Sequence, residues 1–296
     1  MSRSPNAGRV RARGAARDDV AAWLAAIPID GRVSGRNAVV SGHEVVLKAG
    51  PIRRRVRSGL RSLAAGGRTP AELEFEHLTW LRKRLFRCVE PVAAVSVRRR
   101  GLPVAQLFAS ARVLGAEPLD AAWARAGREE RRAWLDELGT ELARMHALAF
   151  VHADLYPRNV LVAPRATPVG EGSLGPAAPD PGFGRALVFL DSWAGGPAPW
   201  TRLRPAPIAR DLGTFLTEAA DWLDAEEVGL LLGRYASARA AQGRPVDDDG
   251  RWIARVLSVR RREVARLAAR PDRLRGRPLP DPDWNPPPIE APGRAR

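Results

Sequence analysis

Val151-His152-Ala153-Asp154-Leu155-Tyr156-Pro157-Arg158-Asn159-Val160-Leu161-Val162 is the stretch on which the reading of this chain turns. An Asp and an Asn, Asp154 and Asn159, stand five residues apart on one tight loop between a long helix and a short strand. A short apolar run, Val160 to Val162, follows and reads as a strand. Upstream, Trp134, Leu135, Leu138, Leu142, Met145 and Ala149 recur at near-helical spacing, which predicts a long amphipathic helix running into the loop. Downstream, Leu187-Val188-Phe189-Leu190 predicts a strand that ends on Asp191.

Asp154, Asn159 and Asp191 are the residue types that phosphoryl transfer needs. Its transition state spreads negative charge over the non-bridging oxygens, which a divalent cation must neutralise. Mg2+ takes oxygen ligands, usually one or two carboxylates beside phosphate and water. Asp191 and Asn159 offer a carboxylate and an amide oxygen, and Asp154 is left to orient an acceptor hydroxyl and take its proton. Each residue also has a plain reading. An isolated Asp and Asn at this spacing are more often turn or capping residues, and a lone strand-end Asp is more often part of a turn. The run of His152, loop, strand and second strand-end carboxylate is what tips the balance.

His152-Ala153-Asp154-Leu155-Tyr156-Pro157-Arg158-Asn159 resembles the catalytic loop H-x-D-x-x-x-x-N of the protein-kinase-like superfamily. The flanking VHADLYPRNVLV, the VFLD strand and Arg210-Asp211-Leu212 look most like the bacterial lipopolysaccharide kinases, the Kdo and core-heptose kinase family. The resemblance spans roughly residues 38–220 and implies an α+β, two-lobed protein-kinase-like fold with a small β-rich N-lobe and a larger helical C-lobe. It makes Asp154 the catalytic base, Asn159 and Asp191 the metal ligands, and His152 and Asp211 the supports of the loop. Lys48, at the end of a Val-Val-Leu strand, matches the lysine that contacts the α- and β-phosphates of ATP. Glu74 matches its ion-pair partner, with Glu72 and Glu76 as rivals. Ala111 to Gly115 matches the interlobe hinge, where Val113 and Leu114 would meet adenine, and Gly35 is the glycine expected nearest phosphate. ATP and Mg2+ are the implied cofactors, and a hydroxyl of a glycan or lipid-linked sugar is the implied acceptor. Two departures stand out. Asp191 is followed by Ser192-Trp193 rather than Phe-Gly, and no G-x-G-x-x-G precedes Lys48.

The rest of the chain fits this order. Residues 1–17, rich in Arg, Gly and Ala, read as a disordered basic tail, 18–114 as the N-lobe, 115–270 as the C-lobe, and 271–296 as an extended Pro/Arg-rich tail. Ala38-Val39-Val40 and Glu44 to Lys48 predict two strands joined by the turn residues Ser41-Gly42-His43. Thr69-Pro70 predicts a capped helix start ahead of Leu73, Leu78 and Leu81. Strands are expected at Pro91–Val95 and Leu107–Leu114, a loop at 163–185, and helices at 209–220, 222–240 and 251–269.

Among the 296 residues, 45% are hydrophobic, enough for a sizeable core, and 48 Lys and Arg against 33 Asp and Glu give a net charge of +15. That charge favours anionic partners such as nucleotides, phosphorylated glycans or acidic lipid surfaces, although an Arg-rich composition also follows from a GC-rich genome. Its single cysteine, Cys88, excludes an internal disulfide and points to a reducing cytoplasm. No apolar stretch is long enough to span a bilayer. Peripheral attachment at the inner face of the membrane through basic surface stays open. No nucleic-acid motif is present. Two other readings stay beside the sugar kinase: a Ser/Thr protein kinase, against which the short span from Asp191 to Asp211 counts, and a pseudokinase that binds partners without catalysis.

Overall fold

The alternation in Ala38-Val39-Val40 and Glu44-Val45-Val46-Leu47 has the two-residue period of strands, and a computed structural model of the protein forms an antiparallel pair there. It describes residues 9–14, 33–40, 43–52, 67–99, 102–164, 185–197, 207–246, 251–274, 278–282 and 284. The expected turn at Ser41-Gly42, nearly all of the expected 163–185 loop and most of both tails therefore lie outside the described residues. The chain divides into two compact units, Met1–Leu114 with Pro168–Leu174, and Gly115–Thr167 with Gly175–Arg296.

In the first unit the elements run β1 (Arg9–Gly14), β2 (Val33–Val40), β3 (His43–Pro51), α1 (Pro70–Arg82), β4 (Pro91–Arg99) and β5 (Leu102–Ala111). The strands form one antiparallel sheet in the order β1-β4-β5-β3-β2. Val45, Leu47, Ala49, Ala93, Val95, Leu107 and Ala109 alternate onto one face and form its core. The intervening residues face α1, which lies against β4 and β5. Thr69 caps α1 in a reciprocal box with Glu72, and Pro70 occupies its first turn, as its sequence predicts. Leu78 and Leu81 are fully buried and Leu73 is half-buried.

Two expectations are corrected here. Residues 9–14, read as disordered tail, pair with β4 over the register Arg9↔Arg98 to Gly14↔Ala93. Arg9-Val10-Arg11-Ala12-Arg13 alternates charged and apolar residues at strand period, a signal that the overall Arg/Gly/Ala bias hid. The strand expected to run to Leu114 ends at Ala111, one residue before the last backbone bond to β3, from Arg112 N–H to the Glu44 carbonyl at 3.2 Å.

The second unit carries β6 (Glu117–Pro118), α2 (Leu119–Trp123), α3 (Arg128–Ala147), β7 (Phe150–Val151), β8 (Val160–Pro164), β9 (Arg185–Phe189), β10 (Gly196–Pro197), α4 (Pro207–Ala219), α5 (Ala225–Ala241) and α6 (Arg251–Ala268). Helix α3 lies along α5, and α4 along α6. Trp134, Leu135, Leu138, Leu142 and Met145 of α3 are all buried, each contributing roughly 1.5–3 kcal/mol of burial. Ala149, expected on the same helix face, lies beyond the helix end with φ 55°. There the chain turns into β7 and the Asp154 loop. No described helix is long and apolar enough to cross a membrane.

Candidate active site

In the second unit four elements converge on the loop that leads to Asp154. The backbone N–H groups of His152 and Ala153 donate to the Asp211 carboxylate, at 2.7 Å to Oδ2 and 2.6 Å to Oδ1. His146 Nε2 lies 3.1 Å from Asp211 Oδ2, and His146 Nδ1 lies 2.8 Å from the Tyr235 hydroxyl. A carboxylate only accepts, so the imidazole carries a proton on Nε2, and its Nδ1 shares a hydrogen bond with the Tyr235 hydroxyl. Tyr235 of α5, His146 of α3 and Asp211 of α4 thus form one buried chain of hydrogen bonds ending on the loop backbone. Burial by itself would raise the Asp211 pKa. Hydrogen bonding and charge from His146, together with the field and backbone bond of His152, outweigh it and hold Asp211 below the usual carboxylate range.

The residue so held is strained. Ala153 has φ 65°, a left-handed conformation that costs a residue with a Cβ roughly 1–2 kcal/mol. Its N–H is fixed by Asp211, and its carbonyl accepts from Arg210 Nε and Nη2 at 3.1 and 3.0 Å. Consecutive residues of α4 therefore clamp both sides of the residue that aims Asp154. Beyond it, Tyr156 is buried and its hydroxyl donates to Glu263 of α6, while Arg266 donates back to that hydroxyl at 3.0 Å. Burial and the Glu263 carboxylate push the Tyr156 pKa well up, so the phenol stays protonated. The Arg158 guanidinium covers the Tyr156 ring at 4.0 Å and pairs with Glu218.

Asn159 Nδ2 donates to the Asp154 carbonyl at 2.8 Å, which leaves Oδ1 as the atom able to ligate a cation. Strands β8 and β9 pair from Val160↔Phe189, and Leu190 N–H donates to the Asn159 carbonyl at 3.0 Å. That register brings Asn159 and Asp191 to the same end of the hairpin. Asp191 adopts φ 61°, ψ 41°, then the 3-10 turn Ser192–Ala194 follows. A Cβ on Gly195 would sit 1.8 Å from the Val151 carbonyl oxygen and 2.5 Å from that of His152. Only glycine lets this turn close against the base of the Asp154 loop, and β10 then pairs with β7.

In the first unit Lys48 Nζ reaches Glu74 Oε1 at 2.8 Å. The rivalry among the three glutamates has a structural answer. Glu72 is committed to the Thr69 cap, to Ser96 Oγ at 3.0 Å and to Arg98 at 3.2 Å, while Glu76 pairs with Arg68. Gly35 sits at φ 72°, where the β2–β3 register shifts between Ser34 and Arg36. Val113 is half-buried and Leu114 exposed, both past the end of β5. Among the described residues no three His, Cys, Asp or Glu side chains cluster as a metal cage.

Sequence reading missed three contributors. His146, which carries no motif on its helix, bridges Asp211 and Tyr235. Arg210 was noted only as part of a resemblance. Gly195 was overlooked because the glycine expected directly after the Asp191 pair stands further on, in Asp191-Ser192-Trp193-Ala194-Gly195-Gly196. The Gly-Gly pair closing a short turn was the available signal.

Residues 52–174 match the model of the lipopolysaccharide kinase (Kdo/WaaP) family. The matched stretch takes in Glu74, Asp154 and Asn159, and Lys48, Asp191 and Asp211 lie outside it. No curated protein sequence matches the chain. Of solved structures, WaaP in complex with acyl carrier protein is similar over 81% of this chain and 86% of that one, at 16% identity and a TM-score of 0.52. Glucosamine kinase (crystal form B) is aligned over 90% of this chain and 76% of that one, at 15% identity and a TM-score of 0.42. The likeness to WaaP shows a kinase-like fold. The family match bears out the resemblance to lipopolysaccharide kinases over the residues it covers, and on that match the chain is a kinase.

Proposed function

We propose that this kinase transfers the γ-phosphoryl group of ATP to a hydroxyl of a lipopolysaccharide-type sugar acceptor. The observation that carries the reading is the clamped loop: a strained Ala153, held by Arg210 and Asp211, sets the position of Asp154, and the β8–β9 register sets Asn159 and Asp191 at one end of a hairpin. In this reading Asp154 accepts the proton of the attacking hydroxyl. Asn159 Oδ1 and the Asp191 carboxylate are an oxygen pair that fits Mg2+, which keeps phosphate and water in its remaining positions. When bound there the ion would neutralise charge on the transferred phosphoryl group. Lys48, steadied by Glu74, holds the α- and β-phosphates, and Gly35, Val113 and Leu114 lie along the nucleotide. His152 and Asp211 shape the loop and exchange no proton with substrate.

The acceptor class rests on the match to a lipopolysaccharide kinase family and on the +15 charge, which suits an anionic glycan. The same charge would favour a place at the anionic inner face of the membrane. The short turn Asp191–Pro197, which returns to β7, counts against a long peptide-docking segment and so against the protein-kinase reading. The test is incubation of the full chain with Mg-ATP and purified lipopolysaccharide, followed by 31P NMR of the glycan. A new phosphomonoester resonance is expected. Its absence, with phosphate appearing on protein instead, would overturn the acceptor assignment.

A further inference from the structure

The chain contains nine tryptophans, of which seven are described. Six of those seven have a ring or cation partner. Trp123 tilts against Trp134 and Trp222 at centroid distances of 6.1 and 4.7 Å, and Trp222 also meets Phe215. Trp252 meets Tyr235 at 5.9 Å, Trp80 lies under the Arg84 guanidinium at 3.7 Å, and Trp284 lies under Arg260 at 4.8 Å. Trp193 is the exception: among the described residues it has no ring or cation partner, although it is half-buried.

Its place in the chain is unusual as well. Trp193 is the middle residue of the 3-10 turn that begins directly after Asp191. Ser192 before it is fully buried, and Gly195 after it is locked against Val151 and His152. A large aromatic side chain is thus carried on this turn beside the residues assigned to phosphoryl transfer, with no ring or cation partner among the described residues. The face of an indole carries negative quadrupole charge, and the axial C–H groups on one side of a pyranose ring carry slight positive charge. Such a pair stacks without needing hydrogen bonds, and a two-torsion side chain loses little entropy in doing so.

We propose that the Trp193 indole is the platform on which the acceptor sugar ring stacks, making Trp193 a specificity-determining residue. The inference rests on the sugar-kinase reading above and deepens it by naming the contact. Two measurements on the full chain test it separately from that reading. The first is NMR of 15N-indole-labelled protein titrated with deacylated lipopolysaccharide oligosaccharide, with the Trp193 signal assigned by its loss in Trp193→Phe. A saturable shift of that signal supports the proposal even if no transfer occurs. An unmoved Trp193 signal while other indoles shift, or no shift at all, overturns it. The second is steady-state transfer to the same oligosaccharide. Trp193→Ala should raise the acceptor KM by about tenfold, the size of one lost ring contact, with the ATP KM within about twofold. Trp193→Phe should restore most of the loss. An unchanged acceptor KM, or a loss falling equally on ATP, would refute the platform. Absence of transfer by wild type, with the indole shift present, would instead count against the kinase reading alone.

Discussion

Replacing Asp211 by Asn probes the support of the Asp154 loop with the smallest change of shape. The carboxylate accepts from two backbone N–H groups at 2.7 and 2.6 Å and from His146 at 3.1 Å, all fully buried. An amide of the same size keeps one acceptor oxygen and turns an NH2 toward groups that also donate. At least one charge-assisted bond is lost, at roughly 1.5–3 kcal/mol, and one buried donor is stranded at about 1–3 kcal/mol. The left-handed Ala153 then lacks one of its two restraints, and the strain of roughly 1–2 kcal/mol can relax by letting the loop move. Asp211→Asn should therefore destabilise the protein by about 3–5 kcal/mol, which lowers Tm by roughly 6–20 °C for a unit of this size. Differential scanning calorimetry reads this directly. Transfer by the fraction still folded should fall as well, because Asp154 is no longer aimed. A Tm within about 2 °C of wild type, with transfer unchanged, would refute the bracing argument. The pH dependence carries its own sign. The folded-state pKa of Asp211 is depressed, so its contribution is fully present above the unfolded value and is lost as pH falls through the folded one. The Tm gap between wild type and Asp211→Asn should be constant from neutral pH down to about pH 5 and close at lower pH.

Other outcomes follow from the same geometry. Lys48→Ala should raise the ATP KM by at least about tenfold and lower Tm as well, because it removes a partner of the buried Glu74 carboxylate. Glu74→Gln should produce a smaller loss in the same direction, and a double-mutant cycle would show the two to be coupled. Gly195→Ala puts a methyl group inside the Val151 carbonyl and should cost over about 3 kcal/mol, read by urea unfolding. Gly35→Ala, which meets no atom within 4 Å but keeps a positive φ, should cost only about 1–2 kcal/mol. Burial pushes the Cys88 thiol up to about 12. It should stay unreactive to a disulfide reagent at about pH 8 until the protein is unfolded, and rapid labelling of the native chain would contradict that.

Much of the site was legible because its residues lie where an apolar period breaks. Asp154 and Asn159 stand between a helix and a strand, Asp191 ends a strand, and Thr69-Pro70 opens a helix with its own capping chemistry. What stayed hidden depends on distant partners. Spacing could not choose among Glu72, Glu74 and Glu76, because all three lie on one helix and only the positions of Ser96, Arg98 and Arg68 draw two of them away from Lys48. His146 looks like any helix residue until Asp211 and Tyr235 meet it from two other helices. β1 was masked by composition: the Arg, Gly and Ala bias that suggests disorder also contains a strand alternation, which becomes stable only with β4 beside it. The helix limit at Ala147 depends on the turn at Ala149, whose positive φ no apolar period announces.

The central claim is that Asp154 is the base of a phosphotransferase acting on a glycan. Its most direct test incubates the wild-type chain and Asp154→Ala with γ-labelled ATP, Mg2+ and a host extract, then separates lipid and glycan from protein. The account predicts label in the lipid and glycan fraction with wild type and none with Asp154→Ala, although the variant still binds ATP. Equal labelling by the two proteins, or labelling of neither, would contradict it.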